Sequence, residues 1–182
     1  MRAFRSTVRR SALLALAALA MLAAPRAEAV ERAGLEAAIV YNLLQFVEWP
    51  GEAALPAGTP LAVCLDAASP LLPELQSLEG RPVRRMRLAV RELAPAEAAQ
   101  GCGVIYVDAA GRHRGLAARR PASPEAPALV IGGSDLARGE GLMVRLDEAG
   151  GRLVFDIDMK AAREAGLVVS SRLLRLARKV TE

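Results

Sequence analysis

Val104-Ile105-Tyr106-Val107-Asp108 is the stretch on which the fold turns. Four consecutive β-branched or aromatic residues follow Gly103 and stop at an acid, a strongly strand-like run. Around it strands alternate with helices, and that alternation argues for a mostly parallel sheet covered by helices on both faces. Upstream, Leu61 to Leu65 reads as a buried strand and Leu71 to Leu78 as a short helix with Gly80 at its C-terminal cap. Met86 to Val90 reads as a second strand and Pro95 to Gln100 as a helical turn. Downstream, Arg112 to Arg120 fits a helix closed by Pro121, and Leu129 to Ile131 a further strand.

Farther out, the pattern changes. Leu142 to Leu146 and Leu153 to Ile157 flank Asp147-Glu148-Ala149-Gly150-Gly151, the signature of an antiparallel hairpin. Met159 to Ala165 reads as a helix capped by Gly166, and Ser170 or Ser171 as the N-cap of a last helix running to about Val180. At the other end, Glu31 to Val47 reads as a helix with an apolar stripe of Leu35, Ile39, Leu43 and Phe46, ended by Pro50 and Gly51. Together these predict one α/β domain over residues 30–182, a three-layer Rossmann-like sandwich. Its sheet is mostly parallel and ends in a C-terminal antiparallel hairpin.

Residues 1–29 read differently. Arg2, Arg5, Arg9 and Arg10 precede an unbroken apolar run from Ala12 to Ala24, and Ala27-Glu28-Ala29 offers a small-x-small cleavage site before Val30. That order predicts a signal peptide cut between Ala29 and Val30, and therefore a periplasmic protein. The run is shorter than the ~20 residues a membrane-spanning helix needs. Arg9-Arg10 is compatible with twin-arginine as well as Sec export. The segment holds five of the 24 basic residues and one of the 20 acids, so its loss turns a formal charge of +4 into zero. A neutral chain gives no electrostatic support for nucleic-acid binding.

Most chemistry is excluded by composition. His113 is the single histidine, set between two arginines, and a zinc site would need about four Cys or His ligands where three exist. There is no HExxH, Walker A loop or GxSxG. The glycines at 132, 133, 139 and 141 lack dinucleotide spacing, and Ser134 or Asp135 is expected to cap one helical turn there. Asp156 and Asp158 share a strand face, with Asp158 placed to cap the helix after it. Arg81, Arg84, Arg85, Arg87 and Arg91 form a basic cluster without interleaved aromatics, a solvated face or a contact for an acidic partner. No enzyme, metal or cofactor is predicted. In an oxidising compartment Cys64 and Cys102 would form a bridge; two buried thiols that never meet are the alternative.

Two segments are more specific than composition explains. One is Tyr41-Asn42-Leu43-Leu44-Gln45-Phe46-Val47-Glu48-Trp49-Pro50. The other runs from Phe155-Asp156-Ile157-Asp158-Met159 through Ala165-Gly166-Leu167 to Val169-Ser170-Ser171-Arg172-Leu173-Leu174-Arg175-Leu176-Ala177. Between them lie Val63-Cys64-Leu65, Cys102-Gly103-Val104-Ile105-Tyr106-Val107, and Ser134-Asp135 followed by Gly139 and Gly141. In this order they resemble the YfiR family of periplasmic regulators. Leu44, Gln45, Asp158 and Glu140 depart from the family pattern.

The resemblance implies a protein that is not an enzyme. It would bind the periplasmic sensor domain of an inner-membrane diguanylate cyclase and repress it, lowering cyclic di-GMP output and so biofilm formation. An outer-membrane partner or a redox change would release it, and a homodimer is compatible with the reading. Tyr41, Asn42, Glu48 and Trp49 are the candidate partner contacts, although Tyr41 and Trp49 could equally anchor the helix to the sheet. Leu173, Leu174, Leu176 and Ala177 are expected in the core. The alternative function is a periplasmic small-molecule-binding sensor module, using a crevice at the strand ends.

Overall fold

The computed structural model describes residues 31–93, 99–113, 127–136 and 141–182. The proposed signal peptide with its Ala29–Val30 cleavage site, most of the turn at 95–100, residues 114–120 of the expected helix, and Gly139 lie outside them. Helix α1 covers 31–44, followed by strand β1 (Val47–Glu48) and a single 3-10 turn (Glu52–Ala54). Then come β2 (Pro60–Asp66), α2 (Leu72–Gln76), β3 (Pro82–Val83), β4 (Met86–Leu93), β5 (Val104–Val107), α3 (Ala109–His113) and β6 (Leu129–Gly132). The chain closes with β7 (Val144–Ala149), β8 (Arg152–Asp158), α4 (Met159–Glu164), β9 (Val168–Val169), α5 (Ser171–Leu176) and β10 (Lys179–Thr181).

Among the described residues, eight strands make the main sheet, in the order β10-β8-β7-β6-β5-β2-β4-β3. Neighbouring pairs from β4 to β7 are parallel, while the β7–β8 hairpin and β3 are antiparallel to their neighbours. Gly150 and Gly151 form the hairpin turn at φ 59° and 71°, a left-handed geometry that glycine adopts without a Cβ clash. The parallel strands taken alone run second, first, third, fourth, fifth. That doubly wound order reverses direction between β2 and β5, where a crevice opens beyond the strand ends.

Period-two alternation sorts the side chains into two cores. Val63 and Leu65 of β2, Val104 and Tyr106 of β5, and Leu129 and Ile131 of β6 face the larger cluster, which takes in α1, α2, α4 and α5. Cys64, Ile105, Val107 and Val130 point the other way, against Leu93, Ala99, Cys102, Ala128, Leu136 and Leu142. Both faces of β5 are therefore buried, in keeping with the alternation of strands and helices around it. The α/β sandwich with a mostly parallel sheet and a late hairpin is the fold read from the sequence.

Several boundaries are corrected. Helix α1 stops at residue 44 rather than Val47, because the amides of Gln45 and Phe46 bond back three residues and tighten the last turn. Val47 then pairs with Val169 as a strand. Its buried face is also different: Ala33, Ala37, Val40, Leu43 and Leu44 pack inward, and Leu35, assigned to the stripe, is 54% exposed. Small alanines let the helix lie close to the sheet, a choice hydropathy alone undervalues. The last helix ends at Leu176, not Val180, and Lys179–Thr181 pairs in parallel with β8. Leu173 is buried as expected, but Leu176 is 67% exposed. Helix α3 begins at Ala109, ahead of the expected Arg112, because the Asp108 carboxylate accepts the Gly111 amide at 2.9 Å.

Candidate functional site

The motif that follows α1 is built on a turn. Pro50 and Gly51 occupy the centre of Trp49-Pro50-Gly51-Glu52, with the Glu52 amide bonding the Trp49 carbonyl at 3.1 Å. Gly51 has φ 74°, the left-handed conformation that the third position of a type II turn requires. The turn directs Glu52 back into the protein, where it is almost fully buried. One Glu52 oxygen accepts the Trp49 amide (3.2 Å) and the other the Arg84 Nε–H (2.9 Å). Burial of a carboxylate is tolerated here because both oxygens are matched to donors.

Arg84 holds the other side of this clamp. It sits in the two-residue loop between β3 and β4 with φ 53°, the one non-glycine residue at positive φ among the described residues. A left-handed L-residue costs about 1–2 kcal/mol, which the surrounding contacts must offset. Its guanidinium reaches Glu48 and Glu52, both at 2.9 Å, and its amide donates to Gln45 Oε1. Gln45 Nε2 and the Tyr41 hydroxyl both donate to the Pro82 carbonyl, at 3.0 and 2.7 Å, and Arg81 stacks over the Tyr41 ring at 5.1 Å. Part of the basic cluster is thus turned onto the α1 motif rather than left as a solvated face.

The four candidate contact residues separate by burial. Asn42 is exposed, Glu48 is exposed but ion-paired with Arg84, and Tyr41 is half-buried beneath Arg81. Trp49 lies in the core at 8% exposure, and its indole N–H donates to the Gly103 carbonyl at 3.0 Å. Gly103 adjoins Cys102, which forms a disulfide with Cys64 across β2 and the approach to β5. Arg91 donates to the Gln100 carbonyl and lies against the Cys102 sulfur.

The distant C-terminal segment reaches the same place. Val47 and Glu48 pair antiparallel with Val169 and Val168, and the Ser170 amide donates to the Phe46 carbonyl. Ser170 also caps α5 through the Arg172 amide, and Asp158 caps α4 through the Ala161 amide, as their positions foretold. Asp156 is occupied by Arg145 and Arg178, and Arg178 holds its carboxyl below the usual aspartate range.

Residues that sequence reading missed lie at the far end of α1. Glu36 is buried, and its carboxylate accepts the Tyr106 hydroxyl (2.7 Å), the Ser134 amide (2.8 Å) and the Ser134 hydroxyl (2.9 Å). Burial, then the Glu36 charge, push the Tyr106 phenol far above its ordinary range, so it stays a proton donor. The Asp135 carboxylate accepts the Ala109 amide at the start of α3, and the turn that Ser134 or Asp135 is expected to cap runs on into residues outside the described ones. A polar residue inside a helix's apolar face was the available signal for Glu36. Among the described residues no cluster of acids, cysteines or histidine is arranged to hold a metal ion.

The β3–β4 loop, Gly103 and the C-terminal Val168–Ser170 segment therefore meet at α1 and the turn after it. The YfiR/HmsC-like family model matches residues 33–178, which includes all of them. The chain belongs to the YfiR/HmsC-like family. That family is regulatory rather than catalytic, and its members work in the periplasm. No curated protein matches the chain in the comparison made. Among the described residues of this YfiR/HmsC-like protein, no helix is long and apolar enough to cross a membrane.

Proposed function

We propose that this protein is exported to the periplasm and there binds the sensor domain of an inner-membrane diguanylate cyclase, holding cyclic di-GMP synthesis down. The observation that carries the reading is the family match over 33–178, whose limits enclose both the α1 motif and the C-terminal segment paired with it. The basic, then apolar, then small-x-small order of residues 1–29 supports export. Asn42 and Glu48 are exposed next to a clamp that fixes their backbone, which suits a preorganised contact surface. Tyr41 would contribute the edge of its ring, and Trp49 would support the surface from below.

The test is a co-purification of the protein with the periplasmic domains of the membrane diguanylate cyclases of its own organism. Wild type should retain the domain, and Asn42→Arg should lose it while melting at the same temperature. Equal retention by that variant would remove this surface from the interface.

A further inference from the structure

The crevice where the sheet order reverses holds chemistry that the α1 motif does not use. Beyond the carboxyl ends of β2, β5 and β6 lies a cavity of about 160 Å³, lined by Arg32, Glu36, Tyr106, Asp108, Ser134 and Asp135 together with apolar carbon from Ala33 and Leu71. Three carboxyl groups thus face one guanidinium, and that guanidinium is drawn aside by an ion pair with Glu148 at 2.6 Å. Burial, together with the nearby Asp108 and Glu36 charges, raises the Asp135 carboxyl above the ordinary aspartate value, partly offset by the Ala109 amide. The cavity is largely apolar, with three carboxyl groups against one guanidinium in its wall.

Asp108 is the second, independent observation. It is 2% exposed, its Oδ1 is engaged by the Gly111 amide, and its Oδ2 has no hydrogen-bond partner among the described residues. A buried acceptor left unmet is unfavourable, more so when charged, so a donor supplied by a ligand would be strongly favoured. Glu36, by contrast, already accepts three hydrogen bonds and has little to offer a ligand.

We propose that this cavity binds a small organic ammonium compound, its cationic head between Asp108 and Asp135 and its short carbon stem against Ala33 and Leu71. An ammonium group brings three donors and a full positive charge, which answers the acceptor left at Asp108 and the neighbouring Asp135 carboxyl. A metal ion would require several convergent ligands, and among the described residues no such group exists. The volume falls below the roughly 300 Å³ at which drug-sized pockets begin, which restricts the ligand to a few heavy atoms.

Ethanolamine is a suitable probe, titrated into the isotopically labelled protein at fixed ionic strength, with sodium chloride and magnesium chloride as controls. The amides of Gly111 and Ser134 should shift saturably with ethanolamine, and the melting temperature should rise with it. Asp108→Asn keeps an acceptor for the Gly111 amide but removes the charge, and should weaken binding about tenfold or more. Asp135→Asn should weaken it too, and carries the test if the first variant does not fold. Absence of saturable shifts, an equal response to sodium or magnesium, or unchanged affinity in both variants would each overturn the proposal.

Discussion

Cutting the Cys64–Cys102 bridge gives the most direct reading of what holds the centre of the sheet. The bridge joins residues 38 apart in sequence. In the chain-entropy model, a loop of that length stabilises the fold by about 4 kcal/mol, by restricting the unfolded chain. Both sulfurs are buried in the smaller core. Reduction leaves two thiols in the space the disulfide filled and so removes the cross-link with little loss of packing. Replacing both cysteines by alanine also removes the sulfur atoms and should cost roughly 1 kcal/mol more. Against a total stability of about 5–15 kcal/mol, the loss is large. At about 2–4 °C per kcal/mol for a chain of this size, the reduced protein should melt roughly 8–16 °C lower. Urea unfolding of oxidised, reduced and doubly substituted protein checks this. The slope should also steepen without the bridge, because the unfolded chain then exposes more surface. A stability difference below about 1 kcal/mol between oxidised and reduced protein would refute the entropic argument.

Other outcomes follow from the same contacts. Trp49→Ala should cost about 3–5 kcal/mol in urea unfolding, since it removes a buried ring and leaves the Gly103 carbonyl without its indole donor. Gly133→Ala places a Cβ against the buried Tyr106 hydroxyl, and should destabilise by about 1–3 kcal/mol in thermal melts as the Tyr106–Glu36 hydrogen bond is displaced. Asp156 and Asp147 are both held below the ordinary aspartate value, chiefly by hydrogen bonds from Arg178. Their contribution is present above about pH 3.9 and is lost as pH falls through the lowered folded-state values, so Asp156→Asn should flatten the acid limb of stability against pH. Asp135 works in the opposite sense: its raised value means that ionising it costs stability, and Asp135→Asn should melt higher than wild type at neutral pH.

The strands of the central sheet were legible because each is a short run of β-branched or aromatic residues, and β5 matches its expected span of Val104 to Val107 residue for residue. The Gly150-Gly151 hairpin and the Ser170 and Asp158 caps were legible for a similar reason, since each depends on local chemistry. Two-residue strands such as Val47–Glu48 and Val168–Val169 were not, because their pairing partners lie more than a hundred residues apart. Nor was β10, where Lys179-Val180-Thr181 continues a helical pattern until tertiary pairing with β8 overrides it.

The site shows the same division. The Trp49-Pro50-Gly51-Glu52 turn can be read from Pro and Gly at its centre. The role of Arg84 could not be, because its partners Gln45, Glu48 and Glu52 come from another element and its positive φ is visible only in three dimensions. Glu36 was passed over because a single acid inside an alanine-rich face carries no partner in sequence; Tyr106 and Ser134 arrive only through the fold.

The central claim is repression of a membrane diguanylate cyclase through its periplasmic domain. The measurement that tests it most directly is cyclic di-GMP synthesis by the full-length cyclase that co-purifies with this protein, reconstituted in vesicles with its sensor domain facing outward. Adding the purified protein to the outside should lower the rate saturably, and Asn42→Arg should not. An unchanged rate at saturating protein, with the cyclase shown to be active and correctly oriented, would contradict the account.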